Sequence, residues 1–190
     1  VAIEPSTGEI LSLVSSPTYN PNLLVGRVRG KNYTRLKKDS LRPLFNRALM
    51  AQYSPGSTFK LMNALVALQE GVISENTRFG CNGVVSWPIK CSHNHTSPLA
   101  LIEAIEQSCN PYFWKTFRTA IKNPAFDNSA EGFQKWRDYV VSMGLNQRFD
   151  TDVTNEKKGF IPEKSYYDHY YSEGHWNAMT IRSLAIGQGE

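Results

Sequence analysis

Apolar and polar positions alternate at the start of the chain. Residues 1–4 and 9–15 follow this two-residue period around Pro5-Ser6-Thr7-Gly8, which predicts a β-hairpin. Apolar spacing typical of α-helices then recurs, with intervening segments that are polar or rich in Pro and Gly. It predicts helices over residues 57–70, 98–107, 111–122, 131–143 and 177–186, a loop with short helical pieces over 16–52, an irregular insert over 77–96 and a loop over 145–175. The predicted fold class is α+β, mostly helical.

Glycine and proline mark the predicted helix ends. Gly71 and Gly144 follow two of the helical segments, as expected for C-terminal caps. Ser97 and Pro98 are predicted to be the N-cap and the first residue of the helix over 98–107.

Composition indicates one ordinary globular domain. The chain has 190 residues, of which 41% are hydrophobic and 20% charged, with a net charge of +4. Its basic cluster has no interleaved pattern of stacking aromatic residues, so we predict a solvated loop there and no nucleic-acid partner. No apolar run reaches the roughly 18 residues of a membrane span, and no signal peptide is visible. Because the chain opens directly on a strand, we expect a segment of a longer protein. The cluster comprises Lys31, Arg35, Lys37 and Lys38.

Ser57 and Lys60 form a Ser-x-x-Lys pair at the start of the first predicted helix. Positions i and i+3 share a helix face, so the lysine amine is expected one turn below the serine hydroxyl. A serine needs a nearby base to act as a nucleophile, and burial of a lysine lowers its pKa. The four-residue pattern alone fits equally an N-capping Ser57 and a solvated Lys60.

The residues around this pair carry a resemblance. Residues 53–60 read Tyr-Ser-Pro-Gly-Ser-Thr-Phe-Lys, which resembles the nucleophile motif of the class B penicillin-binding proteins, the peptidoglycan D,D-transpeptidases. The resemblance is greatest to the elongation-type enzymes and runs along the whole chain. It includes residues 1–15, 17–22, 43–48 and the turn at 186–189.

The family has a second motif, Ser-x-Asn, beside the nucleophile. Three matches occur, beginning at Ser74, Ser92 and Ser108. The third follows a predicted amphipathic helix and precedes Pro-Tyr-Phe-Trp, which resembles the family's sequence at this point. The resemblance implies that Ser108 relays a proton to or from Lys60 and that Asn110 holds Lys60 and the substrate amide. The alternative is that both side chains only cap helices.

The family's third motif, Lys-[Ser/Thr]-Gly, does not occur in residues 1–190. In the family its strand supplies one backbone donor of the oxyanion hole, and the nucleophile's own N–H supplies the other. We therefore expect residues 1–190 to be the N-terminal and central part of a transpeptidase domain. Such a truncated domain is expected to be inactive or weakly active alone.

Three cysteines and one histidine form a candidate metal site. Cys81, Cys91 and His95 lie in the irregular insert, and Cys109 lies within the chosen Ser-x-Asn motif. Three thiolates and one imidazole are a set that binds structural Zn²⁺. A Cys81–Cys91 disulfide or three free thiols are the alternatives. His95 is preferred over His93, and the histidines at 169 and 175 are expected on the surface.

The resemblance implies a serine D,D-transpeptidase that needs no cofactor for catalysis. Its expected ligands are peptidoglycan stem peptides and β-lactams such as penicillin, and its expected partners are membrane proteins of the elongation machinery. The expected location is the periplasmic side of an inner-membrane-anchored protein. A serine β-lactamase or D,D-carboxypeptidase of the same fold, or a non-catalytic interaction domain, remain as alternatives.

Overall fold

The computed structural model describes residues 1–149, 151, 153 and 155–189. Contacts between α-carbons divide the chain into two compact units. The first unit comprises residues 1–52 and 148–158, and the second comprises residues 53–147 and 159–190.

The first unit opens on the predicted hairpin. Strands β1 (Ala2–Ile3) and β2 (Ile10–Ser12) pair antiparallel and are exposed along their length. The unit also contains a 3₁₀ turn at Pro21–Leu24 and two helices, α1 (Arg29–Lys38) and α2 (Arg47–Met50).

Helix α1 corrects the prediction of a loop for the basic cluster. Lys31, Arg35, Lys37 and Lys38 lie within its ten residues. The helix was missed because Tyr33 and Leu36 are its only large apolar or aromatic residues, too few for a helical period. Leu36 is the one buried residue of α1.

The second unit is helical. A 3₁₀ turn at Gly56–Phe59 runs directly into α3, and Asn128 caps α6 through its Oδ1 atom, which accepts from the N–H groups of Ala130 and Glu131. The predicted helices over 57–70, 111–122 and 131–143 are confirmed to within three residues at each end. The helices are α3 (Lys60–Gln69), α4 (Leu101–Glu106), α5 (Asn110–Ile121), α6 (Ser129–Ser142) and α7 (Lys164–Tyr171), with 3₁₀ turns at Gly83–Val85 and Arg182–Ile186.

Three predictions about helices are wrong. Helix α4 begins at Leu101 rather than Pro98, because Leu99 instead exchanges two backbone hydrogen bonds with Phe79 at 3.0 and 3.1 Å. Helix α7 lies within the predicted loop over 145–175, where tyrosines replace the aliphatic residues that mark most helices. In the segment 177–186, only Arg182–Ile186 is helical, and it is a 3₁₀ turn.

The core of the second unit is built on α5. Eight of its twelve residues are buried, and it contacts α3, α6 and the 3₁₀ turn Arg182–Ile186. Helix α6 approaches its C-terminal end closely, because a Cβ atom at Gly132 would meet the carbonyl oxygen of Ile121. Trp136 stacks on Phe133 with ring centroids 5.6 Å apart, and both rings belong to the aromatic part of the core.

Asn63 is a buried polar residue at the centre of this core, with 2% of its surface exposed. Its Oδ1 atom accepts from Trp136 Nε1 at 2.8 Å. Its Nδ2 atom donates to the carbonyl oxygens of Leu184 at 3.1 Å and Ala185 at 3.0 Å. One side chain therefore joins α3 to α6 and to the 3₁₀ turn that precedes Gly187.

We expect Asn63→Ala to destabilise the protein by about 3 kcal/mol or more, because it leaves a buried indole N–H and two buried carbonyls without partners. Urea unfolding measures the loss. The control is Asn76→Ala at an exposed position, which should cost less than about 0.5 kcal/mol. Equal losses in the two variants would show that the buried bonds contribute nothing.

Candidate active site

Ser57 is exposed at the surface of the second unit, in the 3₁₀ turn Gly56–Phe59. Phe59 and Lys60 follow it and are buried, at 5% and 3% exposure. In a 3₁₀ turn, residues i and i+3 lie one above the other. The turn therefore presents Ser57 to solvent, with Lys60 on the same side and directed inward.

The Lys60 amine is held by the Ser-x-Asn segment. Its Nζ atom donates to the carbonyl oxygen of Ser108 at 2.7 Å, to Ser108 Oγ at 2.9 Å and to Asn110 Oδ1 at 2.6 Å. An ammonium group has three N–H donors, and these three acceptors match them. The Phe113 ring lies on a further side, with its centroid 5.7 Å from Nζ.

Burial lowers the pKa of Lys60, while negative charge on the Cys91 and Cys109 thiols would act in the opposite direction. A neutral amine keeps two N–H donors and gains a lone pair. It can still donate to the Ser108 carbonyl and to Asn110 Oδ1, while Ser108 Oγ–H donates to its lone pair. The site thus accommodates both protonation states of Lys60 without moving heavy atoms.

Ser108 has a left-handed backbone conformation, with φ of +48°, which is uncommon outside glycine. Its carbonyl oxygen and its hydroxyl both contact the same amine. Asn110 is held from its other end, since its Nδ2 atom donates to the Lys90 carbonyl at 2.8 Å. Neither side chain caps a helix; the N-cap of α5 is Cys109.

The other two Ser-x-Asn matches lie away from Lys60. Ser74 Oγ is 3.3 Å from Thr77 Oγ1, and Ser92 Oγ is 3.1 Å from His93 Nδ1. The sequence did not indicate the Lys90 carbonyl as a partner of Asn110, because a backbone group in an irregular segment leaves no sequence signal.

The turn around Gly187 is hydrogen-bonded to the segment that carries Ser57. Gly56 N–H donates to the Gly187 carbonyl at 2.8 Å, and Ser54 Oγ donates to the Gly189 carbonyl at 3.3 Å. Gly187 has a φ of +65°, and a Cβ atom there would meet the Gly56 carbonyl oxygen and lie 2.7 Å from Phe59 Cβ. Only glycine fits this contact between the two turns.

A cavity of about 400 Å³ opens beside Asn110. Lys90, Arg182 and Gln188 line it together with aliphatic side chains. The cavity places polar and cationic groups next to the residue that holds Lys60.

The predicted metal-binding residues come together behind the Ser-x-Asn segment. Their four ligand atoms all lie within 4.8 Å of one another. Cys81 Sγ is 3.7 Å from Cys91 Sγ, Cys91 Sγ is 3.8 Å from Cys109 Sγ, and His95 Nε2 is 3.5 and 3.4 Å from the sulfurs of Cys81 and Cys91. His93 is turned away towards Ser92, as the preference for His95 requires.

These spacings fit a tetrahedral zinc site. Zn–S bonds of about 2.3 Å and Zn–N bonds of about 2.0–2.1 Å place sulfurs about 3.8 Å apart and nitrogen about 3.5 Å from sulfur. A disulfide needs about 2.05 Å, and all three cysteines are free. His95 Nδ1 lies 2.8 Å from the Thr96 carbonyl, which holds the ring with Nε2 towards the sulfurs. Burial raises the pKa of Cys91 and of Cys109.

The sequence matches the family described as "Penicillin binding protein transpeptidase domain" over residues 1–189. The chain belongs to this transpeptidase family. The Ser57–Lys60 pair and the Ser-x-Asn segment that holds Lys60 both lie within the matched residues.

Similar proteins agree with this assignment. The chain is 32% identical over its whole length to the peptidoglycan D,D-transpeptidase MrdA of Acinetobacter baumannii, of which it covers 27%. It resembles the penicillin G acyl-enzyme of penicillin-binding protein A from Mycobacterium tuberculosis, with 28% identity, a TM-score of 0.66, and 99% of this chain and 41% of that chain covered. It also resembles PBP2 of Helicobacter pylori in its complex with MreC, with 25% identity, a TM-score of 0.71, and 93% and 31% covered.

These likenesses confirm the predicted penicillin-binding transpeptidase fold. The chain spans about a quarter of the length of the Acinetobacter relative. Among the described residues, no helix has the length and apolar character needed to cross a membrane.

We expect Gly187→Ala to lower stability strongly, because the added methyl group meets backbone atoms as well as a left-handed conformation. The matched control is Gly71→Ala, which has the same φ of +65° and no atom within 4 Å of the new Cβ. The control should cost about 1–2 kcal/mol, and Gly187→Ala roughly 2 kcal/mol more. Urea unfolding of both variants measures the difference, and equal losses would refute a close contact between the two turns.

Proposed function

We propose that this chain is the nucleophile-bearing part of a peptidoglycan D,D-transpeptidase that cross-links stem peptides through an acyl-enzyme on Ser57. The observation that carries the proposal is the Lys60 amine, buried and held by Ser108 and Asn110, one 3₁₀ turn from an exposed Ser57. The family assignment supplies the reaction class.

In the first step Ser57 Oγ attacks the penultimate D-Ala carbonyl of a donor stem peptide. Neutral Lys60 accepts the hydroxyl proton once its lone pair turns from Ser108 Oγ–H to Ser57, and the lowered pKa of Lys60 favours this role. The tetrahedral intermediate collapses, and D-Ala leaves with a proton on its amine. The product is an ester between Ser57 and the shortened stem peptide.

Ser108 is placed to carry that proton to the leaving amine. Its hydroxyl is hydrogen-bonded to Lys60 Nζ, so a proton taken from Ser57 can pass from Lys60 through Ser108 Oγ. In the second step the same relay runs in reverse and removes a proton from the attacking amine of a neighbouring stem peptide. Asn110 keeps Lys60 in line, and the cavity beside it gives the peptide room to bind.

The developing oxyanion needs two N–H donors. The Ser57 N–H is one candidate, since it lies in the first turn of a helical segment, where backbone N–H groups have no intrahelical partner. The family's Lys-[Ser/Thr]-Gly strand would supply the second. Removal of one such donor costs roughly 3–4 kcal/mol of transition-state stabilisation, so residues 1–190 alone should react slowly.

The same serine should be acylated by β-lactams. The acyl-enzyme of the Mycobacterium relative with penicillin G supports this expectation. The MreC complex of the Helicobacter relative supports a membrane protein of the elongation machinery as partner. We place the domain in the periplasm, attached to the inner membrane through a part of the protein outside these residues.

We further propose that Cys81, Cys91, His95 and Cys109 hold a structural Zn²⁺. The zinc would stabilise the insert over residues 77–96, which has little apolar core of its own, through bonds to its side chains. Cys109 lies between Ser108 and Asn110, so the same four side chains also fix the backbone of the Ser-x-Asn segment. No step of the reaction requires the metal.

The nucleophile is tested by covalent labelling with a fluorescent penicillin, in a protein that includes the Lys-[Ser/Thr]-Gly strand. We expect Ser57→Ala to abolish labelling, because the acyl group has no oxygen on which to form the ester. Ser74→Ala is the control, an exposed serine whose hydroxyl lies against Thr77, and it should label normally. Normal labelling of the Ser57 variant would refute the assignment.

The zinc proposal is tested by elemental analysis and thermal unfolding. We expect one zinc per chain, a lower Tm after chelation, and a similar Tm loss in Cys109→Ser that chelator does not increase further. The control is Ser92→Ala in the same insert, which should keep both the zinc and the Tm. A metal-free protein whose Tm is unchanged by chelator would refute the proposal.

A further inference from the structure

Six exposed cations lie within twelve residues of the first unit, and the transpeptidase reaction uses none of them. No acidic residue interrupts the segment 27–38, and no ion pair among the described residues involves any of the six. We call this set the basic surface. It consists of Arg27, Arg29, Lys31, Arg35, Lys37 and Lys38.

The fold explains only part of this charge, because the helix dipole favours the cations Arg35, Lys37 and Lys38 in the last turn of α1 but not the other three. Arg29 and Lys31 lie in the first turn of α1, where the helix dipole opposes cations, and the turn has no acidic residue and no side-chain cap. Lys31 and Arg35 are four residues apart and repel each other on the helix surface. The two other arginines nearby differ, because Arg47 donates to the Leu41 carbonyl at 2.7 Å and Arg42 lies over the Phe45 ring at 4.8 Å.

The row formed by Lys31, Arg35 and Lys38 points to the kind of partner. These residues are spaced i, i+4 and i+7, so they line one face of α1 over about 10 Å. Leu36, the buried residue of the helix, lies on another face. A row of exposed cations on a rigid helix complements a polymer that carries repeated negative charges.

An anionic lipid surface fits less well. Helices that lie in the membrane interface insert several large apolar side chains opposite their cations. In α1 the apolar Leu36 is turned inward at 7% exposure, and Tyr33 is the one exposed large aromatic residue among its ten. Val28, just before the helix, is also exposed, but one valine and one tyrosine give the surface little to insert between lipids.

We propose that the basic surface binds the carboxylates of peptidoglycan stem peptides, and so keeps the protein on its polymeric substrate between reactions. The inference rests on the proposed function, which makes peptidoglycan the substrate. Stem peptides carry carboxylates that repeat along a glycan strand, so several of them can meet the row of cations on α1 at once.

The test is co-sedimentation of the purified protein with isolated peptidoglycan sacculi, in a Ser57→Ala background that excludes acylation. The variant is Lys31→Gln/Arg35→Gln/Lys38→Gln. The control removes the same three charges at exposed sites on the second unit, as Arg118→Gln/Lys122→Gln/Lys135→Gln. We expect the variant to bind at least about tenfold more weakly at low salt and the control to change less than about twofold. Binding of the parent should fall steeply between about 50 and 200 mM salt.

Further arms separate charge from packing and from other polyanions. Lys31→Arg/Lys38→Arg should bind like the parent, and the Gln variant should unfold at the same or a higher temperature because it relieves repulsion within α1. Sacculi with amidated carboxylates should lose the protein. Equal binding of variant and control, retention on amidated sacculi, or tighter binding to phosphatidylglycerol vesicles or DNA than to sacculi would overturn the proposal. Penicillin labelling of Ser57 is scored separately, so its failure refutes the proposed function while the binding result stands.

Discussion

The buried amine of Lys60 is the interaction on which the active site depends. A lysine at 3% exposure is costly unless its donors are satisfied, and Ser108 and Asn110 supply all three acceptors. This requirement joins α3 to the start of α5. The same groups therefore have two roles. Ser108 and Asn110 offset the cost of burying Lys60, and they are also the groups proposed to move its proton and hold it in place.

Two further supports hold this arrangement, one at the Ser57 turn and one at the Ser-x-Asn segment. Behind the nucleophile, the turn at Gly187 accepts the Gly56 N–H. Behind the Ser-x-Asn segment, the cluster around Cys109 gathers side chains from the insert. Irregular segments therefore contact both the Ser57 turn and the Ser-x-Asn segment, and helices α3 and α5 supply the rigid part.

Short, spaced motifs made most of the site predictable. The three-residue interval between Ser57 and Lys60 is a local geometric fact, and helices 57–70 and 111–122 are strongly periodic, so their positions could be inferred without long-range information. The Cys and His residues were recognisable by their chemistry alone. Helix α1 was not, because it has too few apolar residues to show a period, and α7 was not, because its tyrosines are divided between core and surface.

Features that depend on tertiary contact stayed beyond the sequence. Helix α4 starts later than predicted because Leu99 pairs with Phe79, twenty residues earlier. The residues near Leu99 do not indicate this pairing. The carbonyl of Lys90 that holds Asn110 is likewise invisible in a list of side chains. Asn63 belongs to the same class, since its three partners come from two distant segments.

Asn63 also restricts how this domain can evolve. Its side chain must offer one acceptor to Trp136 and two donors to backbone carbonyls, and asparagine and glutamine are the only side chains with that combination. Glutamine adds a methylene to a closely packed core. Backbone carbonyls cannot be mutated away, so no compensating change at positions 184 and 185 can release the asparagine. We therefore expect related sequences to differ at the positions around Asn63 more readily than at Asn63 itself.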